Sequence, residues 1–243
     1  MSRIDGEARV LWHEPVGEEP LVWPALQLTD VFKLYRSGPV ETAALRGVDL
    51  RVQSGELVAV LGPSGCGKST MLSLAAMLDR PSAGEVRIRD RSLQLLGEEQ
   101  LAACRAREVA LVFQSDNLWP ALSARENIAV ALRLAGTRDP GGHADRALER
   151  FGLSARRRHR AGALSGGEQQ RVAIAAAYAS NAPLVLADEP TGELDVRNER
   201  LVLESLRELR DDRASAVVIV THSARVAAAA DRVVEMRDGR VVS

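Results

Sequence analysis

LVAVLGPSGCGKST, residues 57–70, decides how this chain is read. Leu57 to Leu61 form a short aliphatic run of the kind that makes a buried central strand. Gly62 to Ser69 then fit G-x-x-x-x-G-K-[ST] at every required position. Glycines let the backbone wrap closely around a phosphate and aim its N–H groups inward. The helix expected next adds its positive N-terminal end. Lys68 supplies a point charge for the β- and γ-phosphates, Ser69 a hydroxyl for Mg²⁺, and Thr70 a further phosphate contact. Gly62, Ser64, Gly65, Cys66, Gly67, Lys68, Ser69 and Thr70 are therefore the expected nucleotide cradle. Cys66 holds a variable position of the pattern and reads as a bystander, open to alkylation when the site is empty.

Outward from this stretch, the text alternates strands and helices. ALQLTDVFKLY and AALRGVDLRVQ alternate apolar and polar residues and predict two strands before the cradle. After it, MLSLAAMLD predicts a helix and EVRIRD an edge strand. From about Leu95 to Arg160 the pattern is mostly helical, with VALVF at 109–113 as a short strand. LSGGEQQRVAIAAAYAS opens a helix on glycines, PLVLADEP and SAVVIVTHS are further buried strands, and ERLVLESLRELRDD is an amphipathic helix between them. A last helix and a hairpin centred on Asp238-Gly239 close the chain. Buried strands alternating with helices predict an α/β fold with a mostly parallel sheet. The basic run Arg156-Arg157-Arg158-His159-Arg160 reads as a solvated loop or helix end, with a phosphate or lipid-surface contact as the alternative.

Other strand ends carry chemistry. Asp188 closes LVLAD and offers a hard oxygen for the metal, directly or through water. Glu189 follows in a place suited to polarising an attacking water. His222 stands at the end of VVIVT and is expected on the γ-phosphate. Gln114, after VALVF, is placed to reach the metal or the water. Tyr35, 27 residues before Gly62 and just after the first strand, is a candidate to stack on adenine.

Composition sets limits on the function. The 243 residues are 46% hydrophobic and 27% charged, as in a globular domain rather than a disordered chain. The net charge is -1, from 32 basic and 33 acidic residues, so no nucleic-acid partner is expected. Lys33 and Lys68 are the only lysines; Lys68 has its duty on phosphate, and Lys33 has none that the sequence reveals. Two cysteines, Cys66 and Cys104, are too few for a disulfide framework and fit a reducing compartment. No apolar run approaches the roughly 18 residues of a membrane helix. Residues 1–24 read as a loose, flexible extension without a signal peptide's apolar core, and 25–243 as the ordered domain.

Taken together, the segments resemble the nucleotide-binding subunit of an ATP-binding cassette (ABC) transporter. Leu164-Ser165-Gly166-Gly167-Glu168-Gln169-Gln170-Arg171 is similar to the family signature LSGGQ and its following QR, with Glu168 where the family often has Gln. Glu193-Leu194-Asp195 resembles the D-loop and His222 the switch histidine. The resemblance runs from about Pro24 to Ser243. It implies a P-loop NTPase (RecA-like) core with a mostly parallel sheet, an antiparallel β subdomain, and an α-helical subdomain inserted at about 95–163. It also implies ATP and Mg²⁺ as ligands and hydrolysis of ATP to ADP and phosphate. Two copies, or this chain and a related subunit, are expected to pair head to tail. Ser165, Gly166, Gly167 and Glu168 then act in trans on the other copy's γ-phosphate, with Asp195 across the seam.

The segments GPSGCGKSTMLSLAAMLDRPSAGEV, VFQSDNLWPALSARENIAVAL and ADEPTGELD are similar to the macrolide-exporter, lipoprotein-releasing and cell-division ATPases. That implies a motor on the cytoplasmic face of the membrane, attached through separate transmembrane permease subunits. An exporter or a mechanotransmission complex is the first reading. An importer subunit, or a non-transport ABC ATPase regulating a membrane partner, is the alternative. Glu193 departs from the Asn of many relatives, and Ala176-Ala177 from their Arg-Ala. The helical region should hold the groove for a membrane partner, with apolar surface near Leu118, Trp119 and Leu122; the competing reading buries Trp119 within the helical subdomain.

Overall fold

The computed structural model describes residues 23–38 and 40–242. The expectation of a loose segment over residues 1–24 falls almost wholly outside these residues. Two sheets and seven α-helices organise the described chain. Strands β1 (Leu26–Ser37) and β2 (Val40–Val52) pair antiparallel. Strand β3 (Leu57–Leu61) then enters the second sheet, and helix α1 (Lys68–Ala75) follows the glycine-rich loop. Strands β4 (Ala83–Ile88) and β5 (Arg91–Ser92) return to the first sheet, whose order is β2-β1-β4-β5. EVRIRD is therefore not at the edge: β4 lies between β1 and the two-residue β5.

Helix α2 (Glu98–Glu108) leads into β6 (Val109–Val112), then come α3 (Ala124–Leu134), α4 (Pro140–Arg150) and α5 (Gly166–Ser180). Next are β7 (Leu184–Asp188), α6 (Val196–Arg213), β8 (Ala216–Thr221), the single-turn α7 (Ala224–Ala227), β9 (Arg232–Arg237) and β10 (Arg240–Val241). The second sheet has the order β10-β9-β3-β8-β7-β6, with β9, β3, β8, β7 and β6 parallel. This is the α/β fold with a mostly parallel sheet, an antiparallel sheet and helices between β6 and β7.

Period-two alternation divides each parallel strand between two cores. Val58, Val60, Leu184, Leu186, Val218 and Val220 face a core shared with α1, α2 and the antiparallel sheet. Leu57, Val185, Ala187, Val217 and Ile219 face the core of α3 to α7. With both faces covered, β3 carries no polar residue and β7 and β8 none before their last, which is why they read as continuous aliphatic runs. Alanines at 173, 175 and 177 let α5 pack closely on the sheet and its neighbours.

Lys33 acquires a role here. Its ammonium lies 2.6 Å from Asp79 Oδ1 and 2.8 Å from the Arg80 carbonyl, just beyond α1. It ties β1 of the antiparallel sheet to the segment that follows the cradle helix. Burial alone would raise the Asp79 carboxyl, but Lys33, the Arg80 amide and the Tyr35 hydroxyl together hold it below the ordinary aspartate value.

Candidate functional site

The carboxyl ends of β3, β8, β7 and β6, neighbours in the sheet, open onto one cavity of about 870 Å³. Open α/β sheets place their ligands at this edge. The loop after β3 contributes Ser64, Gly65, Gly67, Lys68, Ser69 and Thr70. Asp188 and Glu189 come from β7, His222 from β8, and Phe113 to Asp116 from beyond β6. The sequence-predicted cis residues thus meet at one place, apart from Gly62, Cys66 and Tyr35.

The loop is held in shape by close packing. Gly67 has φ 105°, and a Cβ there would lie 2.6 Å from the Ala44 carbonyl oxygen. A Cβ on Gly62 would lie 2.3 Å from the Met236 carbonyl oxygen. Neither position accepts a side chain. Gly67 caps α1 without a side-chain hydrogen bond, so the first-turn N–H groups stay open to a ligand. Lys68 is 7% exposed and donates to the Gly62 carbonyl at 2.8 Å and the Pro63 carbonyl at 3.0 Å. The ammonium is therefore kept in the loop by acceptors that a phosphate can replace.

Cys66 differs from its expected character. It is 4% exposed, belongs to the core beneath the loop, and does not line the cavity. Its Sγ lies 4.0 Å from Lys68 Nζ, on the buried side. The expectation of a thiol open to alkylation is not met, because packing on the core covers it.

Glu189 has φ 45°, a left-handed conformation that costs a non-glycine residue roughly 1 kcal/mol or more. Its carboxylate is fixed on both oxygens: Thr221 Oγ1 donates to Oε2 at 3.0 Å, and His222 Nδ1 lies 2.8 Å from Oε1. An ionised carboxylate only accepts, so Nδ1 carries the hydrogen and Nε2 is left for the cavity. Thr221 is a functional residue that no motif marks; its only signal in the sequence is its place one residue before His222.

Burial pushes the Asp188 carboxyl above the usual aspartate range; the Ser69 hydroxyl opposes this, the Glu189 charge adds to it, and Lys68 opposes it. A divalent cation fits this set. Ser69 and Asp188 are hard oxygen donors that line the same cavity as Gln114, and the Ser69 hydroxyl hydrogen-bonds the Asp188 carboxyl. Among the described residues no cluster of three or more His, Cys, Asp or Glu forms a complete metal cage. Mg²⁺ normally needs none, since phosphates and water fill its remaining positions. Gln114 Nε2 reaches Glu193 Oε1 at 3.4 Å, joining the β6 loop to the D-loop-like segment.

Tyr35 lies inside β1 rather than just after it. Its hydroxyl donates to Asp79 Oδ2 at 3.1 Å, Lys33 Nζ stands 5.0 Å from its ring centre, and the ring does not line the cavity.

The signature-like segment is elsewhere. None of Ser165, Gly166, Gly167, Glu168 or Asp195 lines the cavity. Ser165 caps α5 by accepting from the Glu168 N–H at 3.3 Å, while Glu168 Oε2 accepts from the Ser165 N–H at 2.9 Å. Asp195 caps α6, accepting from the Asn198 N–H at 2.8 Å. The Gly166 and Gly167 positions lie against Leu194 and Asn198, so signature and D-loop segments form one surface.

Known proteins share this sequence pattern and fold. A family profile described as "ABC transporter" matches residues 45–192. The chain belongs to the ABC transporter ATP-binding family. The lipoprotein-releasing system ATP-binding protein LolD of Anaeromyxobacter dehalogenans is 44% identical over 228 residues, covering 93% of this chain and 95% of LolD. The macrolide export ATP-binding/permease protein MacB of Hyphomonas neptunium is 41% identical over 90% of this chain, which spans only 34% of MacB. Among solved structures, a dimeric ATP-binding cassette in a post-hydrolysis state with ADP and phosphate has TM-score 0.82 and 37% identity, covering 90% of this chain and 97% of that one. The fold is thus that of an ABC cassette, and ATP binding is a property of the family. Among the described residues no helix is long and apolar enough to cross a membrane.

Proposed function

We propose that this chain is the ATP-hydrolysing motor of an exporter or mechanotransmission-type complex. It works as a dimer on the cytoplasmic face of the membrane, attached to a separate membrane-spanning partner. Residues 25–243 form the cassette, and its inserted helical subdomain is the stretch between β6 and α5; the expected bounds of about 95–163 start too early, because α2 packs on the core of the antiparallel sheet and β6 is a strand of the parallel sheet. One observation carries the reading: Lys68, Ser69, Gln114, Asp188, Glu189 and His222 converge on one cavity while the start of α5 stays outside it. A chain with only one of two phosphate-binding helix starts at its cavity has the other to offer to a second copy. The dimeric form of the similar cassette supports this. The 95% coverage of LolD, and the ATP-binding/permease name of MacB, support a membrane partner.

In this reading the loop amides and Lys68 bind the β- and γ-phosphates, and adenine extends beyond the cavity toward Tyr35, whose ring lies outside it. Ser69 and Asp188 would hold Mg²⁺, with Gln114 alongside; the ion supplies charge neutralisation over the phosphate oxygens when bound. Glu189, held by Thr221 and His222, orients water for in-line attack and accepts its proton. His222 contacts the γ-phosphate from Nε2. Ser165, Gly166 and Gly167 close the site from the other copy, with Asp195 at the seam. Trp119, 54% exposed beside the half-buried Leu118 and Leu122, is left for the membrane partner. Purified chain should hydrolyse ATP, and Glu189→Gln should keep ATP bound while turnover nearly stops. Parent-like hydrolysis by Glu189→Gln would remove Glu189 from its role.

A further inference from the structure

The basic run from Arg156 to Arg160 has no part in the reaction described above, yet one of its members reaches the signature segment. The run is laid along the start of α3: the Arg157 and His159 carbonyls accept from the Arg125 and Ala124 N–H groups at 3.1 and 3.0 Å. This directs Arg156 to the start of α5, where its Nε donates to Glu168 Oε1 at 2.8 Å. The other Glu168 oxygen takes the Ser165 N–H, so both oxygens are engaged within the chain.

For an isolated chain this is favourable. A carboxylate in the first turn satisfies open N–H groups and complements the helix dipole. For the dimer it is a difficulty. The same helix start is to receive a phosphate held by a second copy, and an ionised carboxylate can only accept hydrogen bonds. The Arg156 hydrogen bond and the Ser165 amide hold the Glu168 carboxyl below the ordinary glutamate range, so it is charged at neutral pH. Two anions would then share one helix end. A guanidinium on the carboxylate removes most of that repulsion.

We propose that Arg156 is a positioning residue for the trans half of the nucleotide site: it neutralises Glu168 beside the phosphate-receiving start of α5, so that ATP held by a second copy can dock there. The proposal rests on the reading that α5 serves the other copy's nucleotide. It assigns the first arginine of the run a duty that the remaining members do not share.

The test uses the full chain carrying Glu189→Gln, so that ATP persists, with dimerisation followed by light scattering against protein concentration. Arg156→Ala should weaken ATP-driven dimerisation about tenfold or more, since each dimer holds two such pairs. Arg156→Gln, which retains length and polarity, should show the same loss. Adding Glu168→Gln to Arg156→Ala should restore the dimer to within about threefold of the background, because Gln keeps the capping hydrogen bond and loses only the charge. Binding of a fluorescent ATP analogue at dilutions where chains are single reports whether each variant's cradle is folded. Arg156→Ala dimerising like the background, or Glu168→Gln failing to rescue it, would overturn the proposal; failed rescue would show that Arg156 only supports the loop. A Glu189→Gln background that stays single with ATP would instead overturn the dimer reading itself, before Arg156 is reached.

Discussion

The chain opens α1 and α5 on glycines and finishes the two helix starts in opposite ways. At α1, Gly67 supplies the cap position without a side-chain hydrogen bond, no acidic residue stands in the first turn, and Lys68 is the first helical residue. At α5, Ser165 and Glu168 close a capping box, so the start is satisfied within its own chain. The first is left open and lies at the cavity; the second is capped and lies away from it. The difference separates two tasks. An open start binds its ligand in cis and accepts a cost in isolated stability, whereas a capped start stays ordered until another molecule arrives.

The comparison breaks most visibly at the catalytic carboxylate. Glu189→Gln should lower steady-state ATP turnover by roughly 10²- to 10⁴-fold with nucleotide still retained, measured by phosphate release and by bound-nucleotide analysis. Next, Lys68→Ala should weaken ATP binding by about tenfold to a hundredfold in an equilibrium assay, consistent with one or two charge-assisted hydrogen bonds. Lys68→Arg should not rescue it, because a planar guanidinium does not fit a position 7% exposed.

A smaller and more selective effect is expected at the second helix start. Ser165→Ala removes the cap of α5, costing about 1 kcal/mol in denaturant unfolding. It should weaken ATP-driven dimerisation by more than it weakens ATP binding to a single chain. Equal losses in the two assays would mean that α5 does not serve a second copy.

The smallest effect concerns the scaffold. Asp79→Asn should cost less than about 1 kcal/mol, since the Lys33–Asp79 pair is partly exposed. The folded value of Asp79 is lowered, so its stabilisation is full above the unfolded value of 3.8 and is lost as pH falls below it. Parent and variant should therefore converge in stability under acid, and a gap that widened there would contradict the pairing.

What could be read beforehand follows a physical division. The cradle, Asp188, Glu189 and His222 all sit where an aliphatic strand ends, and burial on both faces makes such ends visible as changes in composition. Contacts between distant segments carry no such mark. Thr221 on Glu189, Lys33 on Asp79 and Arg156 on Glu168 span 32, 46 and 12 positions, and no periodicity links their partners. For Cys66 the motif shows which positions vary, not which way their side chains point; the thiol turns into the core. The alternating text ends at Tyr35, so the sequence puts this residue at the strand's end, whereas the pairing with β2 continues to Ser37. The helix expected after Ser223 lasts only one turn, and the chain then reaches Asp231, whose carboxylate accepts from the Leu57 N–H at 2.8 Å.

The central claim is that the cradle of one copy meets the capped helix start of another. Its most direct test is the mass of the Glu189→Gln chain with and without saturating ATP, at a concentration in the micromolar range. The expected result is a 26.2 kDa species alone and one of twice that mass with ATP, holding two nucleotides. A chain that binds ATP fully and stays at 26.2 kDa would contradict it.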